Sequence, residues 1–156
     1  MKFNSSGGYF TAIINRTNGE SETVTHLKRN LLCNNGRDLF HQQCYTNTSN
    51  GTRGAGYVAL TTDTAAASAS DTSLAQELST SGFSRADATT KSHTNGTNSS
   101  TIEHTFTSSG TVNSINKSGT FNNASSTTLC HEAVFSTTAS LISGDTLKVT
   151  WTLNLG

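Results

Sequence analysis

The C-terminal stretch SGDTLKVTWTLNLG, residues 143–156, decides the fold. Leu147, Val149, Trp151, Leu153 and Leu155 alternate with Lys148, Thr150, Thr152 and Asn154 behind an SGD turn. A period of two sends successive side chains to opposite faces of a strand, so one face of this segment is expected to be buried. Burying Leu147, Val149, Trp151 and Leu153 at about 1.5–3 kcal/mol each makes the strand the expected centre of the core.

Composition extends this reading to the whole chain. The 156 residues suit one domain, which at this length buries roughly 70% of its unfolded surface. Leu, Ile, Val and Phe make up about 19% of the chain, a level that signals disorder only when net charge is high. Here the formal net charge is zero and 13% of residues are charged, so the polar mass is Thr, Ser and Asn. Threonine suits a pleated surface, whereas Ser, Asn and Gly suit turns, and the composition therefore points to an all-β domain. With no proline, turns must rest on the 13 glycines and on asparagine. Neutrality removes the electrostatic case for nucleic acid or an anionic membrane as partner. No apolar run reaches the length of a membrane span, and MKFNSSGGYF lacks the apolar centre of a signal peptide, so export by a cleaved signal is not expected.

Working back from the C-terminus, GTVNSINKSG, STIEHTFTSS and FSRADATTKSHT read as polar, threonine-rich strands separated by SSG and NGTN turns. Near the N-terminus, YFTAIIN (Tyr9–Asn15) and SETVTHL (Ser21–Leu27) flank RTNGE, whose Asn-Gly pair signals a hairpin. In Arg37–Tyr45, Leu39, Phe40, Gln43 and Cys44 share one helical face, which predicts a short helix. Met1–Gly8, ending in SSGG, reads as a flexible arm ahead of a single domain over 9–156.

Between YVAL at Tyr57–Leu60 and DTSLAQEL at Asp71–Leu78 lies a threonine, alanine and serine tract. No hydrophobic residue larger than alanine occurs from Asp63 to Ser70, so this part is expected to cover surface, with Thr61 to Ser70 exposed. Leu74 and Leu78, spaced i, i+4 between a capping Asp71, Thr72 or Ser73 and a terminating Gly82, predict a small helix that packs by both leucines. The strands on either side of the tract are too few to fold alone. The tract is therefore read as a loop inside one antiparallel β-sandwich, jelly-roll-like, with one or two short helices in its connections.

Chemistry is hard to place on such a sequence. Cys33, Cys44 and Cys130 cannot all pair within the chain and form no CxxC unit, so they read as reduced, partly buried thiols. The histidines at 26, 41, 93, 104 and 131 lack metal-ligand spacing, and neither a metal nor any other cofactor is expected. Asp63 and Asp71 are better explained by turn and cap duties than by calcium. Glu77, Glu103 and Asp87 could serve glycoside hydrolysis only if brought within the required separation. No nucleophile elbow, phosphate loop or HExxH is present, and an enzyme is not expected. The Asn-x-Ser/Thr triplets follow from composition alone.

Three blocks carry a family resemblance. NLLCNNGRDLF (30–40), YVALTTDTAAASASDTSLAQELSTSGFSRA (57–86) and SGDTLKVTWTLNLG (143–156) resemble segments of a family of small structural proteins of tailed bacteriophages. That family's segments read N-L-[IL]-x-N-x-G-x-D, ALxTDxxAxxxxDTxLxxE and GDxLxVTWTLxL, and Cys33 stands where threonine is more usual. The resemblance implies a β-sandwich or jelly-roll core, a virion structural role and no chemistry. On it rests the expectation of a capsid decoration, or cement, protein, assembled in the host cytoplasm. Its partners would be the major capsid protein and its own copies, as a homo-oligomer such as a trimer. Phe3 in the arm and Tyr9 beside it are the candidate anchors. A tail or fibre component is the alternative within the class, and a carbohydrate-binding adhesin module using Tyr9, Tyr45 and Tyr57 is the alternative outside it.

Overall fold

The computed structural model describes residues 8–36, 54–97, 99–125 and 128–154. Ten strands follow one another: β1 Tyr9–Asn15, β2 Ser21–Arg29, β3 Leu31–Leu32, β4 Tyr57–Thr61, β5 Ala86–Asp87, β6 Thr90–His93, β7 Ser99–Thr107, β8 Val112–Phe121, β9 Leu129–Leu141 and β10 Thr146–Asn154. They form two five-stranded sheets, ordered β2-β1-β10-β7-β6 and β3-β9-β8-β4-β5, and every pairing is antiparallel. The molecule is an all-β sandwich.

The alternation of residues 147–153 does what its period predicts. β10 is the middle strand of the first sheet, with Leu147, Val149 and Trp151 fully buried and Lys148, Thr150 and Thr152 facing outward. Phe10 on β1 lies 4.8 Å from the Trp151 ring and stacks at 5.2 Å on Phe135 of β9, so aromatic side chains from both sheets interlock. Leu155 lies outside the described residues.

Two turns at one end of the sandwich are joined by a carboxylate. The β1–β2 hairpin turns through Gly19 at φ 88°, and the β9–β10 turn through Gly144 at φ 90°, a region open to glycine at little cost. Asp145 is fully buried between them. It accepts hydrogen bonds from Arg16 at 2.8 Å, from the Thr17 amide at 3.1 Å and from the Ile142 amide at 3.1 Å. The Arg16 guanidinium foremost, with these amides, holds the Asp145 carboxyl below its ordinary range. At one edge β2 bends towards the second sheet: Thr25 and Ser136 hydroxyls meet at 2.9 Å, and Thr137 donates to the Val24 carbonyl at 3.0 Å.

The tract after β4 is a loop within the domain, as expected, but its course differs from the predicted one. Residues 62–74 run over the outer face of the second sheet, Glu77 and Leu78 pair with the end of β4, and Phe83 enters the inter-sheet core with its ring 6.0 Å from that of Phe106. The tract touches β4 through Leu78, whose amide donates to the Leu60 carbonyl at 2.8 Å. It reaches β9 through the Thr72 carbonyl, which accepts from Leu129 at 3.2 Å, and the segment after β3 through the Ala69 carbonyl, which accepts from Asn34 at 2.8 Å. No helix forms over Asp71–Leu78. Thr61 and Glu77 form a β-bridge, Gln76 takes φ 52°, and the Ala75 carbonyl accepts the Thr61 hydroxyl. A helix of eight residues is marginal by itself, and here its backbone groups find partners in the sheet instead. Consequently the two leucines part company: Leu74 packs outside the sheet with Ala59, Phe121, Leu129 and Cys33, while Leu78 packs against the inter-sheet core. Thr61, expected to be exposed, is fully buried.

The predicted helix over Arg37–Tyr45 and most of the arm lie outside the described residues. Gly8, assigned above to the arm, belongs to the body. Its carbonyl accepts the Asn30 amide at 3.0 Å, and a Cβ added to it would fall 1.6 Å from the Thr152 carbonyl oxygen. Only glycine fits there.

Candidate functional site

The two faces of β8 and β9 carry different chemistry. His131 points into the sandwich, where its Nδ1 meets the Thr120 hydroxyl at 2.9 Å and its ring lies 6.2 Å from Trp151. Burial pushes the His131 pKa down to about 4, so the ring is neutral at pH 7. The next residue, Glu132, points the other way, beneath the covering segment.

There a charged cluster is enclosed between sheet and cover. Lys117 of β8 is 2% exposed, and its ammonium group contacts Glu132 at 2.8 Å and Asp63 of the covering segment at 2.6 Å. Burial by itself would lower the Lys117 pKa, but hydrogen bonds to Asp63 and Glu132 outweigh it and hold the group above the usual lysine range. The same contact with Lys117 holds Asp63 below the carboxylate range. Glu132 is displaced upward: burial is the main cause, Lys117 opposes it, and a hydrogen bond with Asp71 adds to it. Asp63 and Asp71, read as turn and cap residues, do bond local amides, Ala65 to Asp63 at 3.3 Å and Ser68 to Asp71 at 3.1 Å. Their larger role is to bring the cover's charge to Lys117 and Glu132. Sequence reasoning missed both of these partners. The available signal was a lysine and a glutamate inside the runs INKSGTF and LCHEAVF, where an edge-on strand would leave them exposed.

Cys33 and Cys130 flank this cluster as buried thiols, and the Cys33 amide donates to the Cys130 carbonyl at 3.0 Å. Burial raises both thiols to about 12, which keeps them protonated and unreactive at neutral pH. Cys44 lies outside the described residues.

The three carboxylates considered for hydrolysis are not brought together. Glu77 in the cover makes a two-pronged pair with Arg85, at 2.9 and 2.6 Å, and Arg85 in turn lies 3.4 Å over the Phe121 ring. Glu103 sits on the outer face of the first sheet with Lys148 at 2.9 Å, and Asp87 pairs with Lys91. Among the described residues no three His, Cys, Asp or Glu side chains are grouped to hold a metal ion.

Tyr9, one candidate anchor, begins β1 and is 38% exposed; Phe3, the other, lies outside the described residues. Tyr9 stands on the outer face of the first sheet, aligned with Thr152 of β10 and Arg29 of β2. The outward residues of that face, including Thr11, Ile13, Lys148 and Thr150, are half-buried or exposed. The outer faces of the two sheets are therefore unequal: residues 62–74 cover β4 and the adjoining parts of β8 and β9, leaving Ser136, Thr138 and Ser140 exposed, and the first sheet presents hydroxyls and the Glu103–Lys148 pair with Tyr9 and Ile13 among them.

No family model, curated protein or solved structure matches this chain.

Proposed function

We propose that this chain is a structural protein of a tailed-phage virion, and within that class a capsid decoration protein that adds to the assembled head. The observation carrying the reading is the inequality of the two outer faces. A sheet partly covered by its own chain has less surface to offer, whereas a five-stranded face of hydroxyls, the Glu103–Lys148 pair, Tyr9 and Ile13 suits a flat interface of mixed polarity. The three sequence blocks support the virion class, and they supply the expected partners: the major capsid subunit and further copies of this chain. A protein that binds only the assembled shell stabilises it by mass action, without any chemical step.

The test is occupancy on shells purified without the protein, measured by electron microscopy after adding it at fixed concentration and salt. Wild type is expected to decorate the lattice, and the double substitution Tyr9→Ala with Ile13→Lys is expected to bind about tenfold more weakly while melting normally, because both side chains face outward. Unchanged occupancy in the variant would remove this face from the interface. Recovery of the wild type on tails and not on shells would move the assignment to a tail component. Binding to oligosaccharide with no binding to particles would favour the adhesin reading.

A further inference from the structure

Lys117 meets two carboxyl groups that come from different elements. Thr61 of β4 stands opposite Lys117 of β8, and Asp63 follows two residues later, where its Oδ2 lies 2.6 Å from the Lys117 Nζ. Glu132 of β9 is the diagonal neighbour of Lys117 in the β8–β9 register, and its Oε1 lies 2.8 Å from the same nitrogen. The side chains of Lys117, Glu132 and Asp63 are 2%, 1% and 16% exposed, so only the aspartate reaches solvent. Asp63 is also fixed by its neighbours: its amide donates to the Thr61 hydroxyl at 2.9 Å, and its Oδ1 accepts from the Ala65 amide at 3.3 Å. That leaves Oδ2 facing the amine. The second oxygen of Glu132, Oε2, is buried and has no donor among the described residues.

An ion pair that only fastens the cover to the sheet needs one carboxylate. The second, Glu132, brings a further negative charge into an enclosed site and leaves one oxygen unsatisfied, which costs free energy while it is ionised. Taking a proton from Lys117 removes that cost and leaves a neutral amine against the Asp63 carboxyl group.

We infer that Lys117 and Asp63 condense to an intramolecular amide, with Glu132 as the proton carrier. Glu132 takes a proton from the ammonium group, and the freed Nζ lone pair attacks Asp63 Cγ. A C–N bond forms, and charge gathers on Oδ1 beneath the Ala65 amide. Glu132 moves two protons in turn from Nζ to Oδ2, the Cγ–Oδ2 bond breaks, and the oxygen leaves as water. One ammonium and one carboxylate charge cancel, and no other reactant takes part. Burial disfavours the ammonium ion, yet its hydrogen bonds to Asp63 and Glu132 outweigh burial in the resting cluster, so Lys117 starts charged. Burial raises Glu132, which suits it to accept the proton. Reaction passes through this minor neutral pair and is slow compared with folding. Proximity drives it, since groups fixed in one geometry reach effective molarities of ~10⁵–10⁸ M. The amide ties the start of the cover to β8, beside the apolar cluster of Leu74, Phe121 and Leu129, whatever partner the outer surface binds.

Intact-mass spectrometry of the whole protein, followed over time after synthesis at neutral pH, tests this. The uncondensed chain holds the ion pair described above and has the mass of its sequence; the folded wild type is expected to lose the mass of one water from it. A tryptic digest should then lack cleavage after Lys117 and contain one branched peptide joining the segments that carry Asp63 and Lys117. Lys117→Arg and Asp63→Ala are each expected to keep full mass, as is wild type held in urea, where the three groups are apart. Glu132→Gln should condense at least about a hundredfold more slowly, the usual contribution of a positioned proton carrier. Should Glu132→Gln or Lys117→Arg fail to fold by circular dichroism, Asp63→Ala, at the least enclosed position, and the branched peptide of wild type carry the test. A folded wild type that keeps full mass and is cut after Lys117 overturns the inference. So does water loss that persists in Asp63→Ala or Lys117→Arg, which would mark an aspartyl succinimide elsewhere in the chain or at Asp63 itself. A Glu132→Gln rate equal to that of wild type overturns the role of Glu132.

Discussion

The inter-sheet core and the covered part of the second sheet's outer face are both buried, but they are held differently. Between the sheets, Phe10, Phe135, Trp151, Leu147 and Val149 meet as apolar surfaces, and strand register is enough to bring them together. Under the cover, five apolar residues share the space with Lys117, Glu132, Asp63 and Asp71, and specific polar contacts decide where the chain lies. Apolar packing tolerates small errors of position, whereas a buried ion pair costs free energy unless every partner is in place. The core therefore defines the fold, and polar contacts set the course of the cover across it.

The largest effect belongs to the apolar core. Trp151→Ala should destabilise the protein by about 3–5 kcal/mol, measured by urea unfolding, enough to unfold many domains of this size. An emission spectrum of the folded wild type that is red-shifted and readily quenched would contradict the burial of this ring.

At the polar end, Lys117→Met should cost up to about 3 kcal/mol, the low end for removing one partner of a buried ion pair, because Glu132 can take up a proton once its cation is gone. The loss should therefore be larger at pH 8 than at pH 5. Equal losses at the two pH values would mean that the carboxyl groups of the cluster stay ionised throughout.

A third prediction uses the adjacent residues His131 and Glu132, which face opposite regions. The His131 pKa falls from 6.5 to about 4 on folding, so the unfolded chain binds the extra proton first. Stability is complete above about pH 6.5 and declines as pH falls towards 4, by up to about 3 kcal/mol. His131→Gln should flatten this acid limb of the stability curve and leave the alkaline one, which belongs to Glu132, unchanged. Loss of both limbs in the one variant would show that the two faces are coupled.

The smallest effects separate parts of the cover from each other. Leu74→Ala should cost about 2–3 kcal/mol because Leu74 is buried beneath the segment, whereas Ala66→Ser, at an exposed position, should stay within about 0.5 kcal/mol by thermal melting. Similar costs for both would make the alanine-rich stretch part of a packed surface.

Local pattern was enough for the period-two run of β10, the Asn-Gly hairpin of β1 and β2, and the polar strands β7 and β8. The tract after β4 was legible as a loop within the sandwich because the strands on either side of it are too few to fold alone. Where that loop goes depends on partners distant in the chain. Leu74 and Leu78 fit a helical spacing, but the carbonyls of Thr72 and Ala75 and the Leu78 amide are taken by Leu129, Thr61 and Leu60, partners that a local pattern does not contain. The cluster was hidden for the same reason: Lys117, Glu132, Asp63 and Asp71 stand on separate segments, and each reads as an ordinary turn or surface residue. Their charges meet because the cover crosses from β4 to β9.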